Sequence, residues 1–244
     1  MATAWRTWAS IRLTATITRS IGGPRTMSIT LAEEIMLLSL DEESGAPEQR
    51  QAAGWAVAGG LLLELVLAGR ASVEGKYLKL TDRTPTGEPL LDDRMALLDA
   101  WLGGREKRRV TEWLTRDRRK AGNAAVESLC ARGVVVEQEH RALGLFPTRR
   151  YPEADGAPEK ELRQRLQAVV LDGADPDERT AGLIALIHAA KLHRLAFPDV
   201  PRKQVADRMA EVASGQWAAE SVRAAIRHMQ AAVAAVAASA AAAG

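Results

Sequence analysis

The stretch GGLLLELVLAGR, Gly59 to Arg70, is apolar on nearly every side when wound as a helix. It therefore reads as the buried centre of a helical domain rather than a surface helix. Its one acid, Glu64, must be paired if it is buried. A little further on, DRTPTGEPLLDDRMALLDAW, Asp82 to Trp101, is a Pro-Thr-Gly-Glu-Pro turn that leads into a new helix. The first turn of that helix carries Asp92 and Asp93, the sign of charge a helix N-terminus favours. The two stretches set the expected fold class: mainly α, one helical domain with a buried central helix bundle and small β-hairpins.

Working outward, Thr30 followed by Glu33 is a capping box that opens a helix to about Leu40. The central helix is expected over Glu48 to Ala68, with Gly69 as its stop. Ala71 to Leu80 alternates around Glu74-Gly75 and reads as a short hairpin. Helices are expected over Leu90 to Leu102, Glu106 to Thr115 and Asp117 to Arg132, the last ended by Gly133. Val134 to Gln138 and Ala142 to Phe146 read as two strands joined at His140-Arg141. Further helices are expected over Glu159 to Leu171, Pro176 to Ala196 with Asp175 as N-cap, Arg202 to Ala213, and Gln216 to about Ala235. In domain terms, residues 1–26 are an unstructured extension, 27–235 the helical domain, and 236–244 an Ala-rich tail that frays.

At 244 residues and a net charge of +2, the chain is not expected to coat nucleic acid, although local patches can exist. A single cysteine, Cys130, excludes an intramolecular disulfide and reads as a small core side chain. His188 and His193 are five residues apart, off a common helix face, and no HExxH or CxxC occurs, so neither a metal nor a cofactor is expected. No apolar run reaches the ~18 to 20 residues of a membrane span. The N-terminal extension carries Arg6, Arg12, Arg19 and Arg25 with no acid before Glu33, the profile of a transit peptide. The Arg-over-Lys, Ala-rich composition of the whole chain suits a GC-rich bacterial genome, and there a plain extension is the simpler reading.

The strongest candidate for chemistry is the basic run Arg116, Arg118, Arg119 and Lys120, because arginine forks pair with phosphate oxygens. The bland reading is a solvated helix junction. A second candidate is the apolar strand segment with Leu143, Leu145 and Phe146, flanked by Arg141, Arg149 and Arg150, which would suit a bilayer or a sister subunit. Asp82, Glu88, Asp92 and Asp93 do not form a catalytic set: adjacent helical carboxylates diverge by about 100° and no Ser or His partner is evident. The expectation is a protein without enzymatic activity. A helix, basic turn, helix and hairpin in that order also admits a winged-helix nucleic-acid binder, weakened by the absence of a basic recognition helix.

Four segments read in order carry a resemblance: LAEEIMLLSLDEESG from Leu31, GGLLLELVLAGRASV from Gly59, DRTPTGEPLLDDRMALL from Asp82, and DERTAGLIALIHAAKLHRLAF from Asp177. The series resembles the Golgi phosphoprotein 3 family, including its bacterial members. The resemblance implies a cytoplasmic protein attached peripherally to the cytosolic face of a membrane, that of the Golgi in a eukaryote or the inner or plasma membrane in a bacterium. It also implies binding to phosphatidylinositol 4-phosphate, contacts with membrane-protein tails and homo-oligomerisation through the hairpin. Relatives hold the lipid phosphate with arginines of the helix that carries the basic run, plus an arginine and a tryptophan of the helix matching Glu48 to Ala68. Counted back from Arg132-Gly133, Arg119 falls on one family arginine and Gly122 on the second. Counted from Glu64, the third falls on Ala58, and the tryptophan position falls near Gln49 or Arg50, so Trp55 does not align. Arg50, Arg116, Arg118 and Lys120 are the residues expected to compensate.

Overall fold

Thr30 sets the first helix. Its backbone is extended, its hydroxyl accepts from the Glu33 amide at 3.2 Å, and the Glu33 carboxylate accepts from the Thr30 amide at 2.6 Å. This capping box starts α1 (Leu31–Leu38), every residue of which is buried. The chain is described by a computed structural model over residues 29–40, 50–142, 146–154, 156–214 and 220–242. The expected N-terminal extension lies outside the described residues.

The central helix α2 (Arg50–Leu67) buries Ala53, Trp55 to Ala58, Leu61 to Leu63 and Leu65. It is enclosed by α1, α4 (Val110–Ala131), α6 (Glu178–Ala189) and α9 (Glu220–Ala242). Two of its glycines explain the close packing. A Cβ on Gly60 would lie 3.1 Å from the Ala32 amide nitrogen of α1, and one on Gly59 would lie 2.8 Å from Val233 of α9. An all-apolar helix is stable here because it has neighbours on every side.

Gly69, at φ +71°, ends the helix, and β1 (Ala71–Glu74) pairs antiparallel with β2 (Tyr77–Leu80). A third strand, β3 (Arg108–Arg109), joins the other edge of β2, with Tyr77 opposite Arg109. A two-residue strand has too little periodicity to be legible in sequence, and this segment had been expected to begin a helix. The Pro-Thr-Gly loop fastens the sheet to α3 (Pro89–Leu102). Asp82 pairs with Arg70 at 2.9 Å and accepts from Thr84, while Asp92 accepts from the Thr86 amide and hydroxyl, both at 2.7 Å, and from Gly87. Thr84's hydrogen bonds hold the Asp82 carboxyl below its ordinary range. Partial burial raises Asp92, but the bonds from Thr86 and Gly87 outweigh it. These carboxylates are structural fasteners.

Several expected boundaries move. The helices expected on either side of Arg116 are one continuous α4, because no Gly or Pro interrupts the run and Asp117 is turned inward onto Arg94 at 2.9 Å. The basic turn that the nucleic-acid reading placed between those two helices is therefore helix. The second hairpin is shifted to β4 (Gln138–Ala142) and β5 (Phe146–Arg150), closing at Ala142 opposite Phe146. Val134 to Val136, expected as strand, are instead a tether: Val135 is buried and bridges to Glu153. After α5 (Ala157–Val170), the helix expected from Pro176 begins as α6 with Asp177 as its cap, accepting from Thr180 at 2.6 Å. It stops short of Lys191, whose φ is +60°, and a separate turn, α7 (His193–Ala196), follows. After α8 (Arg202–Ser214), α9 runs on to Ala242 with Val236 buried.

Candidate functional site

At 100° per residue the helical phase of α4 sorts the basic run. Asp117 faces the core at 3% exposure and pairs with buried Arg94. Burial pushes its carboxyl up against the pull of Arg94. Arg116, Arg119 and Lys120 fall within an arc of about 100° turned away from the core and are exposed, and none makes an ion pair among the described residues. The run expected to act as a unit is thus divided: three cations face solvent and one acid locks the helix.

Arg118 departs from the expectation of exposure. It is half-buried, with its guanidinium 4.6 Å from the centre of the Trp55 ring. Trp55 itself is 4% exposed, and its indole nitrogen has no hydrogen-bond partner among the described residues. The stack closes the seam between α2 and α4, where a Cβ on Gly54 would lie 3.2 Å from the Arg118 carbonyl oxygen. Arg50 opens α2 one turn before Gly54, and only its backbone is described.

An open groove of about 640 Å³ lies beside this face, between the end of α3, the start of α4 and the end of α9. Arg116 forms part of its wall, with Trp101, Glu112 and Val236. Arg108 stacks on Trp101 at 4.0 Å, donates to its carbonyl at 2.9 Å and reaches Glu112 at 3.2 Å, so its charge is committed. Sequence reading missed the basic segment Arg105 to Arg109, whose signal was present but assigned to a helix start.

The second candidate is less fully described. Leu143 and Leu145 lie outside the described residues, and Phe146 is placed by its backbone at the head of β5. Of the flanking cations, Arg149 is exposed and pairs with Glu137 at 3.1 Å. Cys130 is half-buried, and burial raises its thiol pKa. His188 and His193 touch at 3.3 Å. No group of three or more metal-ligating side chains converges among the described residues.

Residues 31–229 match the profile of the Golgi phosphoprotein 3 (GPP34) family. The chain belongs to that family. Three of the segments that carry the resemblance to Golgi phosphoprotein 3 proteins meet at structural joints: Arg70 to Asp82, the Thr86–Asp92 loop, and Glu33 and Glu88, which Arg132 bridges at 2.8 Å and 2.6 Å. Of the positions that the family resemblance assigns to lipid phosphate, Arg119 is present and exposed. Ala58 is fully buried, and Gly122 packs beneath Met36, 3.4 Å from its terminal methyl to a built Cβ.

Proposed function

We propose that the chain is a non-enzymatic peripheral membrane protein that binds anionic phospholipid, with phosphatidylinositol 4-phosphate as the family ligand, through the exposed face of α4. The observation that carries this reading is the set of Arg116, Arg119 and Lys120, without ion pairs among the described residues and on one face of a helix whose position is fixed by the buried Arg94–Asp117 pair. Arg118, stacked on Trp55, contributes positive potential and rigidity beneath that face. With Ala58 and Gly122 at two family arginine positions, discrimination among headgroups rests on Arg119 aided by its neighbours. The reading is therefore of general anionic recognition with a modest phosphoinositide preference. No helix among the described residues is long and apolar enough to cross a membrane, which is consistent with attachment from one side. Recruitment of membrane-protein tails and self-association through the β4–β5 hairpin complete the adaptor reading. Flotation with liposomes of defined headgroup, run beside a DNA mobility-shift assay, tests it. Retention on anionic but not neutral vesicles is expected, and a DNA shift without vesicle binding would overturn it.

A further inference from the structure

We infer that the membrane-contacting surface extends beyond α4 onto the three-stranded sheet, where Lys76, Lys107 and Arg109 around Tyr77 form a second contact with anionic lipid phosphates. The inference rests on the lipid-binding reading above and adds residues to it. Tyr77 is half-buried, and its ring is approached by the Lys76 ammonium at 5.5 Å and the Lys107 ammonium at 5.2 Å. The ring quadrupole attracts each ammonium, so two like charges are held near one another at the sheet surface. Arg109 stands opposite Tyr77 in the β2–β3 register and is exposed. None of the three cations makes an ion pair among the described residues; Glu74, which the Lys107 charge also reaches, is held by neighbouring Lys79 at 2.5 Å. Glu106 is the one acid of the segment 103–109.

Helical phase aligns this cluster with the α4 face. Arg109 is the N-cap of α4, and Arg116 follows seven residues later, a rotation that returns to within about 20° of the same direction. Lys120 continues the line, giving a stripe roughly 16 Å long from Arg109 to Lys120 at 1.5 Å per residue. Glu112, the acid within the stripe, is occupied by Arg108. The hydrogen bond from the Val110 amide to the Lys76 carbonyl, 3.0 Å, joins sheet and helix so that both clusters move as one. An extended row of fixed, unpaired cations suits a surface of many phosphates better than one enclosed headgroup. Tyr77 does not offer a free ring face for base stacking, since lysines already lie against it, which favours lipid over single-stranded nucleic acid.

The test is sedimentation of the full chain with phosphatidylcholine vesicles containing phosphatidylserine and no phosphoinositide, comparing parent, Lys76→Glu/Lys107→Glu and Lys76→Ala/Lys107→Ala, each checked for fold by circular dichroism. The expected result is a partition coefficient lowered more than tenfold by charge reversal and less by the alanines, with a shallower salt dependence in both. Parent-like binding by both folded variants overturns the sheet contact while leaving the α4 reading intact. If the parent itself ignores vesicles of this composition and those carrying phosphatidylinositol 4-phosphate, both readings fail. Should charge reversal alone unfold the chain, the alanine pair decides between the same outcomes.

Discussion

Glu64 sits in the most apolar helix of the chain, and both of its oxygens are engaged. One accepts from the Leu31 amide at 3.0 Å and the other meets Arg179, which also pairs with Glu34 at 3.2 Å and reaches the Ile29 carbonyl. Burial nevertheless pushes its carboxyl up to about 7, against the opposing pull of Arg179 and the Leu31 amide. Replacing it leaves a half-buried Arg179 that keeps Glu34, and a buried amide short of a partner, so Glu64→Ala is expected to cost about 1–3 kcal/mol and to lower the melting temperature. An unchanged melt would contradict that. The pH dependence follows from the raised value. Between 4.5 and about 7 the folded chain holds a proton that the unfolded chain releases, so this group's contribution is complete below 4.5 and is lost as pH rises through 7. The stability of the parent relative to Glu64→Gln should therefore fall between pH 5 and pH 8 in denaturant titrations, and a constant difference would refute the assignment. Arg118 illustrates a different consequence of burial. Because it covers Trp55, Arg118→Ala should lower stability by roughly 0.5–1 kcal/mol, whereas exposed Arg119→Ala should leave the melt unchanged within about 0.5 kcal/mol.

Elements with local punctuation were legible. The capping box at Thr30, the stops at Gly69 and Gly133 and the turn at Gly75 each announce a boundary through chemistry contained in a few residues. Elements whose boundaries depend on distant partners were not. The run Arg116 to Lys120 looked like a junction because five polar residues in succession obscure an amphipathic phase. Its continuity depends on Asp117 finding Arg94, 23 positions earlier. Once the helix is continuous, its phase separates Arg116, Arg119 and Lys120 from Asp117 and Arg118, which composition cannot do. The β4–β5 register was missed for a related reason: Val134 to Val136 have strand composition, but Val135 is drawn into the core, and the ladder begins with the polar residues that follow. Removing either partner of the Arg94–Asp117 pair leaves a buried charge, so Arg94→Ala and Asp117→Ala should each cost about 3–5 kcal/mol. The double change Arg94→Met/Asp117→Leu should recover most of the loss in chemical denaturation. A double variant as unstable as the singles would show that the pair does not act as a unit.

At the scale of the whole molecule, a net charge of +2 conceals an uneven distribution. Acids are drawn inward to hold the bundle together, with Glu33, Glu34, Glu64 and Asp117 all buried against arginines, while a row of cations on α4 makes no ion pair among the described residues. Bulk charge therefore underestimates the attraction to a negatively charged surface, which acts over a Debye length of ~8 Å at physiological ionic strength. The most direct test is vesicle sedimentation of the parent and of Arg116→Ala/Arg119→Ala/Lys120→Ala, across a salt series, with phosphatidylcholine vesicles with and without phosphatidylinositol 4-phosphate. At ~1 kcal/mol for each basic residue near the surface, the triple variant should bind the charged vesicles on the order of 100-fold more weakly while melting like the parent. Parent binding should also disappear toward molar salt. A folded triple variant with undiminished affinity, or parent binding indifferent to salt, would contradict a lipid site on this face of α4.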